Sequence, residues 1–323
     1  MTYLNKLFSS INTEILQLNV NLDKMISAKH PILYAAAKHL FNKQGKKIRP
    51  SIILIIAKIT NNNKEINPSH QRLAEITEII HTASLVHDDV IDDCDKRRGL
   101  DTVHNIFNTK IAVLAGDFLF AQSSWYLANL NNLEVVKIIS KVIIDFAEGE
   151  VRQGLTNFDT NITIDDYIEK SFYKTATLIA CSCKATTILN QCEQNLQKDL
   201  YLYGKHIGLA FQIIDDILDL TSDTKTLGKT SGSDLKNGNL TAPIMFALEE
   251  NKTLYQLINS EFHSEKNVSD AIQIIKKTKG IQKAKDLAEE HIQLAIQIIK
   301  NKFAYDEAKY LIIISNYILN RIN

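Results

Sequence analysis

Arginine is scarce in this chain: of 37 basic side chains only six are arginine, at Arg49, Arg72, Arg97, Arg98, Arg152 and Arg321. Lysine is the default cation here, so each arginine marks a place where a forked, bidentate donor was kept. Proline is rarer still, at Pro31, Pro50, Pro68 and Pro243, which leaves long stretches without a helix breaker. The four cysteines, Cys94, Cys181, Cys183 and Cys192, fit neither a zinc-site spacing nor a disulfide framework, and they read as reduced thiols. Acidic and basic side chains balance at 37 each, which removes any global field favouring nucleic acid or an anionic membrane. No apolar run reaches the ~18 residues of a membrane span. The opening stretch MTYLNKLFSSINTEILQLNV has no arginine and includes Glu14, so it reads as an amphipathic helix and not as a signal or transit peptide. Any phosphate binding must come from local clusters.

Alternating strand patterns and hairpin dipeptides are nearly absent. Apolar residues instead recur at helical spacing over Leu73–Val90, Ile111–Leu130, Val135–Phe146, Thr175–Leu189 and Leu200–Leu220. Breaks are expected at Gln44–Lys47, Asn61–Pro68, Lys96–Gly99, Asn157–Ile162, Asp223–Gly238 and near Gly280. The pattern predicts an all-α fold of about ten to thirteen helices, packed as one domain over 1–323. No linker or fixed-period repeat divides it.

Two segments carry the chemistry. HTASLVHDDVIDD and FQIIDDILDL each hold Asp-Asp-x-x-Asp within an apolar helical run: Asp88, Asp89, Asp92 and Asp215, Asp216, Asp219. At ~100° per residue, acids four apart lie about 40° apart on one helix face. Like charges so placed destabilise a helix, and desolvation adds to the cost. A cation removes both objections, and carboxylate oxygens suit Mg²⁺, which keeps positions open for water and phosphate. One such cluster alone could be a solvated helix end; two with the same spacing make that reading poor. The Asp-x-Asp-x-Asp-Gly spacing of a calcium loop is absent. Lys96-Arg97-Arg98-Gly99 follows the first cluster directly, placing two of the six arginines beside the acids as candidate diphosphate clamps. GLGKTSG near Gly228 is no P-loop, because Asp223 stands where the motif needs its first glycine and no strand precedes it.

With these pieces in order, the sequence resembles the polyprenyl synthetase family. GKKIRP (45–50), HTASLVHDDVID followed by RRG, YKTA with Lys174 and Thr175, GLAFQIIDDILDL, and Gly228-Lys229 with DLKNGNLTAP match the family's motifs in family order. The stretch from Arg97 to Leu130 looks especially like the long-chain enzymes of cyanobacteria and plastids. The resemblance implies a Mg²⁺-dependent prenyltransferase, with two to three ions per site, that adds isopentenyl diphosphate to an allylic diphosphate. Lys46, Arg49, His81 and Arg98 would hold isopentenyl diphosphate. Asp88 and Asp92 would ligate metal from one side of the pocket and Asp215 from the other, with Asp219 supporting. Arg97, Lys174 and Lys229 would contact the allylic diphosphate, with Thr175 and Gln212 nearby.

The small residues Ala83 and Ser84 stand where short-product relatives carry bulky aromatics, so the resemblance implies a product of about eight to ten isoprene units running into an apolar channel. A plastoquinone side chain is the first guess. Family membership further implies a homodimer, and a long product implies transient membrane contact. The lysine-, isoleucine- and asparagine-rich composition suits an A+T-rich genome, which points to a plastid-encoded protein of the stroma, with a bacterial cytoplasm as the alternative. Rival readings are a geranylgeranyl diphosphate synthase, a non-catalytic subunit of a heteromer, and a terpene cyclase. The intact acid clusters weigh against the second, and the upstream GKKIRP element with His81 against the third.

Overall fold

Pro68 opens the longest helix of the N-terminal half, where its missing N–H is no loss. That helix runs Pro68–Ile91 and its entry is pinned by the Asn67 N–H donating to His70 Nδ1 (3.3 Å). Leu73, Ile76, Ile79, Ile80, Ala83 and Val86 repeat at helical spacing along it and are all buried. The computed structural model describes residues 10–41, 45–61, 65–97, 99–222, 232–262 and 264–322.

In chain order the α-helices are α1 Asn12–Met25, α2 Pro31–Phe41, α3 Ile48–Thr60, α4 Pro68–Ile91, α5 Val103–Phe107, α6 Thr109–Ala128, α7 Leu133–Leu155, α8 Ile164–Ser171, α9 Thr177–Leu189, α10 Gln194–Thr221, α11 Ser233–Lys236, α12 Ala242–Leu248, α13 Lys252–Asn259, α14 Glu265–Lys277, α15 Gly280–Lys302 and α16 Tyr305–Leu319. A π-helical turn, Phe172–Ala176, joins α8 to α9. The all-α expectation holds, apart from a ribbon of two-residue strands, β1 Lys96–Arg97 and β2 Leu100–Asp101, paired antiparallel through Gly99 (φ 76°).

Four expectations need correction. The helices exceed the ten to thirteen expected, because short ones such as α5 and α11 carry too few residues to show a period. The helix expected over Val135–Phe146 continues to Leu155, since polar residues on its outer side hide the pattern without breaking the backbone. The helix expected from Thr175 begins as a π turn. Within the break expected over Asp223–Gly238, Ser233–Lys236 is helical; residues 223–231 lie outside the described residues.

The chain gathers into two compact units. The first comprises Met1–Ile143, Leu178–Gly204 and Ile296–Ile314; the second comprises Ile144–Thr177, Lys205–Ala295 and Ser315–Asn323. In the first unit α4 packs on α1, α3 and α6. Gly116 on α6 admits the His87 ring of α4, since a Cβ there would stand 2.2 Å from His87 Nε2. Helix α6 has the length and apolarity of a membrane span. Its Ala112, Ala115, Gly116 and Leu119 are nevertheless buried, and the exposed Asp117 interrupts its outer face. In the second unit the π turn lies against two helical glycines: a Cβ on Gly208 would meet the Ala176 Cα at 2.5 Å, and one on Gly149 would meet the Tyr173 Cβ at 3.2 Å. None of the four cysteines forms a disulfide.

Candidate active site

The acids of the first unit sit at the C-terminal end of α4. Helical rotation separates them into two kinds. Asp88 and Asp92, one turn apart, are partly exposed. Asp89 is turned inward, 3% exposed, and receives Arg97 Nε at 2.7 Å. Burial raises the Asp89 carboxyl above its usual range, and Arg97 opposes that shift. The expected diphosphate clamp Arg97 thus also ties the β1–β2 ribbon to the acidic helix. Asp95 fixes the same loop, accepting from Thr102 N–H (3.0 Å) and Asn105 Nδ2 (2.9 Å) through its carbonyl.

Two turns back along α4, His81 Nε2 meets Arg49 Nη1 at 3.0 Å. Lys47, in the left-handed region at φ 48°, reaches Glu78 at 2.9 Å with both side chains about one-tenth exposed. The GKKIRP element is therefore fastened to α4 by two contacts, Arg49–His81 and Lys47–Glu78, leaving Lys46 exposed. Ala83 is fully buried, and Ser84 Oγ donates back to the His81 carbonyl (2.9 Å). Deeper on the same helix, Thr77 and Ser182 share a buried hydroxyl–hydroxyl hydrogen bond of 3.0 Å.

The second unit repeats the division for the first two acids of α10, but not for the third. Asp215 is the outward acid, with its side chain 40% exposed, and Arg321 Nη2 reaches it at 2.7 Å while stacking over the Phe211 ring (4.5 Å). Asp216 is the inward acid, 2% exposed, accepting from Tyr167 Oη (2.6 Å) and Gln212 Nε2 (2.7 Å). Burial, then the nearby charge of Asp234, pushes its carboxyl up to about 8; those two hydrogen bonds and Lys170 pull the other way. Asp219 is buried too, accepting from Ser233 Oγ (3.1 Å) and bonding the Gly232 N–H through its carbonyl (3.0 Å). It holds Gly232 and Ser233 at the start of α11.

Lys174 and Thr175 project from the π turn. Lys174 pairs with Glu150 (2.6 Å) and donates to Gln153 (3.2 Å), and Thr175 donates to Gln212 Oε1 (2.5 Å). π turns widen the helix locally and recur at functional sites. Lys174, Thr175, Gln212 and Asp215 are thus brought into one unit with the second acidic motif. Lys46, Arg49, His81, Asp88, Asp92 and Arg97 gather in the other. Arg98, Lys229 and Gly228 lie outside the described residues.

Sequence reasoning missed Tyr167, Lys170, Glu150, Gln153, Asn239, Thr241 and Arg321. Lys170 is 8% exposed and donates to Asn239 Oδ1 at 2.6 Å; burial lowers its pKa, with Asp216 opposing. Tyr167 and Lys170 stand seven and four residues before Lys174, a spacing that marks one helix side. Arg321, one of only six arginines, carried a signal that went unused.

Among the described residues, no three His, Cys, Asp or Glu side chains converge to hold an ion by themselves. The donor set fits Mg²⁺ nonetheless, because that ion takes one or two carboxylates and completes its shell with water and phosphate oxygens. In this structure Asp215 is paired with the Arg321 guanidinium.

The polyprenyl synthetase family model matches residues 30–275. A prenyl transferase of Porphyra purpurea is 63% identical over 292 residues, 90% of each chain. Solanesyl diphosphate synthase 2, chloroplastic, of Arabidopsis thaliana is 47% identical over 297 residues, 91% of this chain and 71% of that one. The crystal structure of a polyprenyl synthase from Caulobacter crescentus, complexed with calcium and isoprenyl diphosphate, superposes with a TM-score of 0.92 at 29% identity, covering 98% of each chain. The chain belongs to the polyprenyl synthetase family and is a prenyltransferase.

Proposed function

We propose that the chain is a long-chain trans-polyprenyl diphosphate synthase that condenses isopentenyl diphosphate with an allylic diphosphate, its product the nonaprenyl side chain of plastoquinone. The observation that carries the reading is that the first two acids of each motif divide alike, one part-exposed and the next buried. Asp89 and Asp216 are tied into the fold by Arg97 and Tyr167, while Asp88, Asp92 and Asp215 stay part-exposed. Such acids suit divalent ions that also bind diphosphate. When bound, Mg²⁺ supplies neutralisation of the diphosphate as it leaves.

This chain's own residues do the rest. Lys174 and Arg97, with Lys229, add positive charge that stabilises the leaving group. Lys46, Arg49 and His81, with Arg98, orient isopentenyl diphosphate, so that its double bond meets the allylic carbon as the C–O bond breaks. The new cation loses a proton to the released diphosphate. Ala83 and Ser84 leave room for the growing chain.

Helix α6 offers Val113, Leu114 and Trp125 to solvent, which supports a homodimer. The chloroplastic Arabidopsis relative and the red-algal one support a plastid location. A long apolar product calls for transient membrane contact at release.

Product chromatography with labelled isopentenyl diphosphate and several allylic primers tests the reading. The expected product has about eight to ten isoprene units, and Ala83→Phe shortens it markedly by filling buried space. A wild-type product stopping at geranylgeranyl diphosphate would make this a shorter-chain enzyme. No turnover by the purified chain would make it a subunit of a heteromer.

A further inference from the structure

One lysine beside the π turn has no task in the reaction as described. Lys170 on α8 is buried, and its Nζ donates to Asn239 Oδ1 at 2.6 Å. An ammonium has three donors, so this bond fixes the head while leaving donors to spend. Lys170 and Lys174 line one small cavity of the second unit, and every lining side chain is polar. Thr241 lines it too; its hydroxyl is buried (2% exposed) and has no hydrogen-bond partner. A buried polar atom left in that state is costly unless something fills the space before it. The cavity has room for roughly one or two atoms of water size.

The lining selects the charge of the occupant. It offers two ammonium groups, hydroxyls, side-chain amides and a single carboxylate, Asp216. Each oxygen of that carboxylate already accepts a hydrogen bond, from Tyr167 Oη and from Gln212 Nε2, and the two ammonium groups outnumber it. An oxygen carrying negative charge is therefore the fitting guest.

We propose that Lys170 and Thr241 are further recognition residues for the allylic diphosphate, taking one terminal phosphoryl oxygen inward of Lys174. This rests on the diphosphate reading of Lys174. The bond to Asn239 presets the ammonium, so little reorganisation accompanies binding. Apart from substrate, a water occupies the same place.

The test is calorimetric binding of inorganic pyrophosphate to the full-length protein in Mg²⁺, alongside KM for the allylic substrate and for isopentenyl diphosphate. Lys170→Met weakens pyrophosphate binding and raises the allylic KM by about tenfold or more, as loss of a charge-assisted bond requires, while the isopentenyl KM holds. Lys170→Arg restores most of the loss. Thr241→Val gives a smaller change in the same direction. A folded Lys170→Met protein with unchanged pyrophosphate affinity overturns the proposal. So does an equal rise in both KM values that arginine does not rescue. Should Lys170→Met not fold, Thr241→Val decides, and unchanged affinity there is fatal. Lys174→Met is the control for the underlying reading. If it too binds pyrophosphate normally, the diphosphate assignment falls; if it alone loses binding, only the role of Lys170 does.

Discussion

Asp88 and Asp89 are neighbours with opposite fates, and the cause is 100° of helical rotation. The period of α4 puts Asp88 with Asp92 and turns Asp89 toward the interior, which the sequence allows one to compute. It does not allow one to compute that Arg97 folds back onto Asp89, because that contact depends on a ribbon of two-residue strands too short to leave a pattern. The same limit hid Tyr167, whose hydroxyl meets Asp216 across 49 residues of chain. Substitutions at these adjacent acids therefore differ in kind. Asp88→Ala removes a proposed metal ligand and lowers turnover by about a hundredfold or more even at saturating Mg²⁺. Asp89→Asn keeps Asp88 and Asp92 but weakens the hold on Arg97, so it costs thermal stability and gives a smaller loss of rate. Steady-state rates across a Mg²⁺ titration, with melting curves for both variants, separate the two. Near-normal turnover by Asp88→Ala would remove the ligand assignment.

At the scale of elements, α4 and α10 begin five and six residues before the expected stretches, but their C-terminal ends and both ends of α6 were legible within two residues. The π turn was not, since one extra residue in a turn does not disturb a stripe enough to be read. Its trace in the sequence is indirect: Gly149 and Gly208, two glycines inside long helices, stand where the backbone of 172–176 approaches. Gly208→Ala puts a methyl group about 2.5 Å from the Ala176 Cα, a distance no Cβ keeps. Relief requires α10 or the π turn to move, at a cost of about 1–3 kcal/mol. Lys174 and Thr175 move with it, so the allylic KM rises alongside the loss of stability. Gly154→Ala on α7 is the contrasting case: nothing lies within 4 Å of the added carbon, and the higher helix propensity of alanine raises stability by up to about 1 kcal/mol. Urea midpoints for the two variants shift in opposite directions. A Gly208→Ala protein as stable as wild type would mean that the close approach is not rigid.

For the whole molecule, a formal charge of zero says nothing about how stability follows pH, because burial of particular groups sets that dependence. His70 is fully buried at the first turn of α4, and desolvation pushes it down to about 4 from 6.5. It contributes stability that is complete above pH 6.5 and is lost as pH falls from there toward 4, where the unfolded chain gains a proton that the folded chain refuses. Asp216 works in the reverse sense. Pushed up to about 8 by burial, it withholds stability above that pH and returns it as pH falls toward 3.8. The measured profile is a sum of such opposed curves, so its overall shape identifies neither residue. A difference between two proteins does. Glutamine in place of His70 keeps an acceptor for the Asn67 N–H at the helix entry and titrates at no pH. Wild type, relative to His70→Gln, therefore loses about 2 kcal/mol more between pH 7 and pH 5. Denaturant unfolding of both proteins at the two pH values measures it, and every other titrating group cancels in the comparison. Parallel losses would mean that His70 takes up its proton inside the folded chain, in conflict with the packing of α4 on its neighbours.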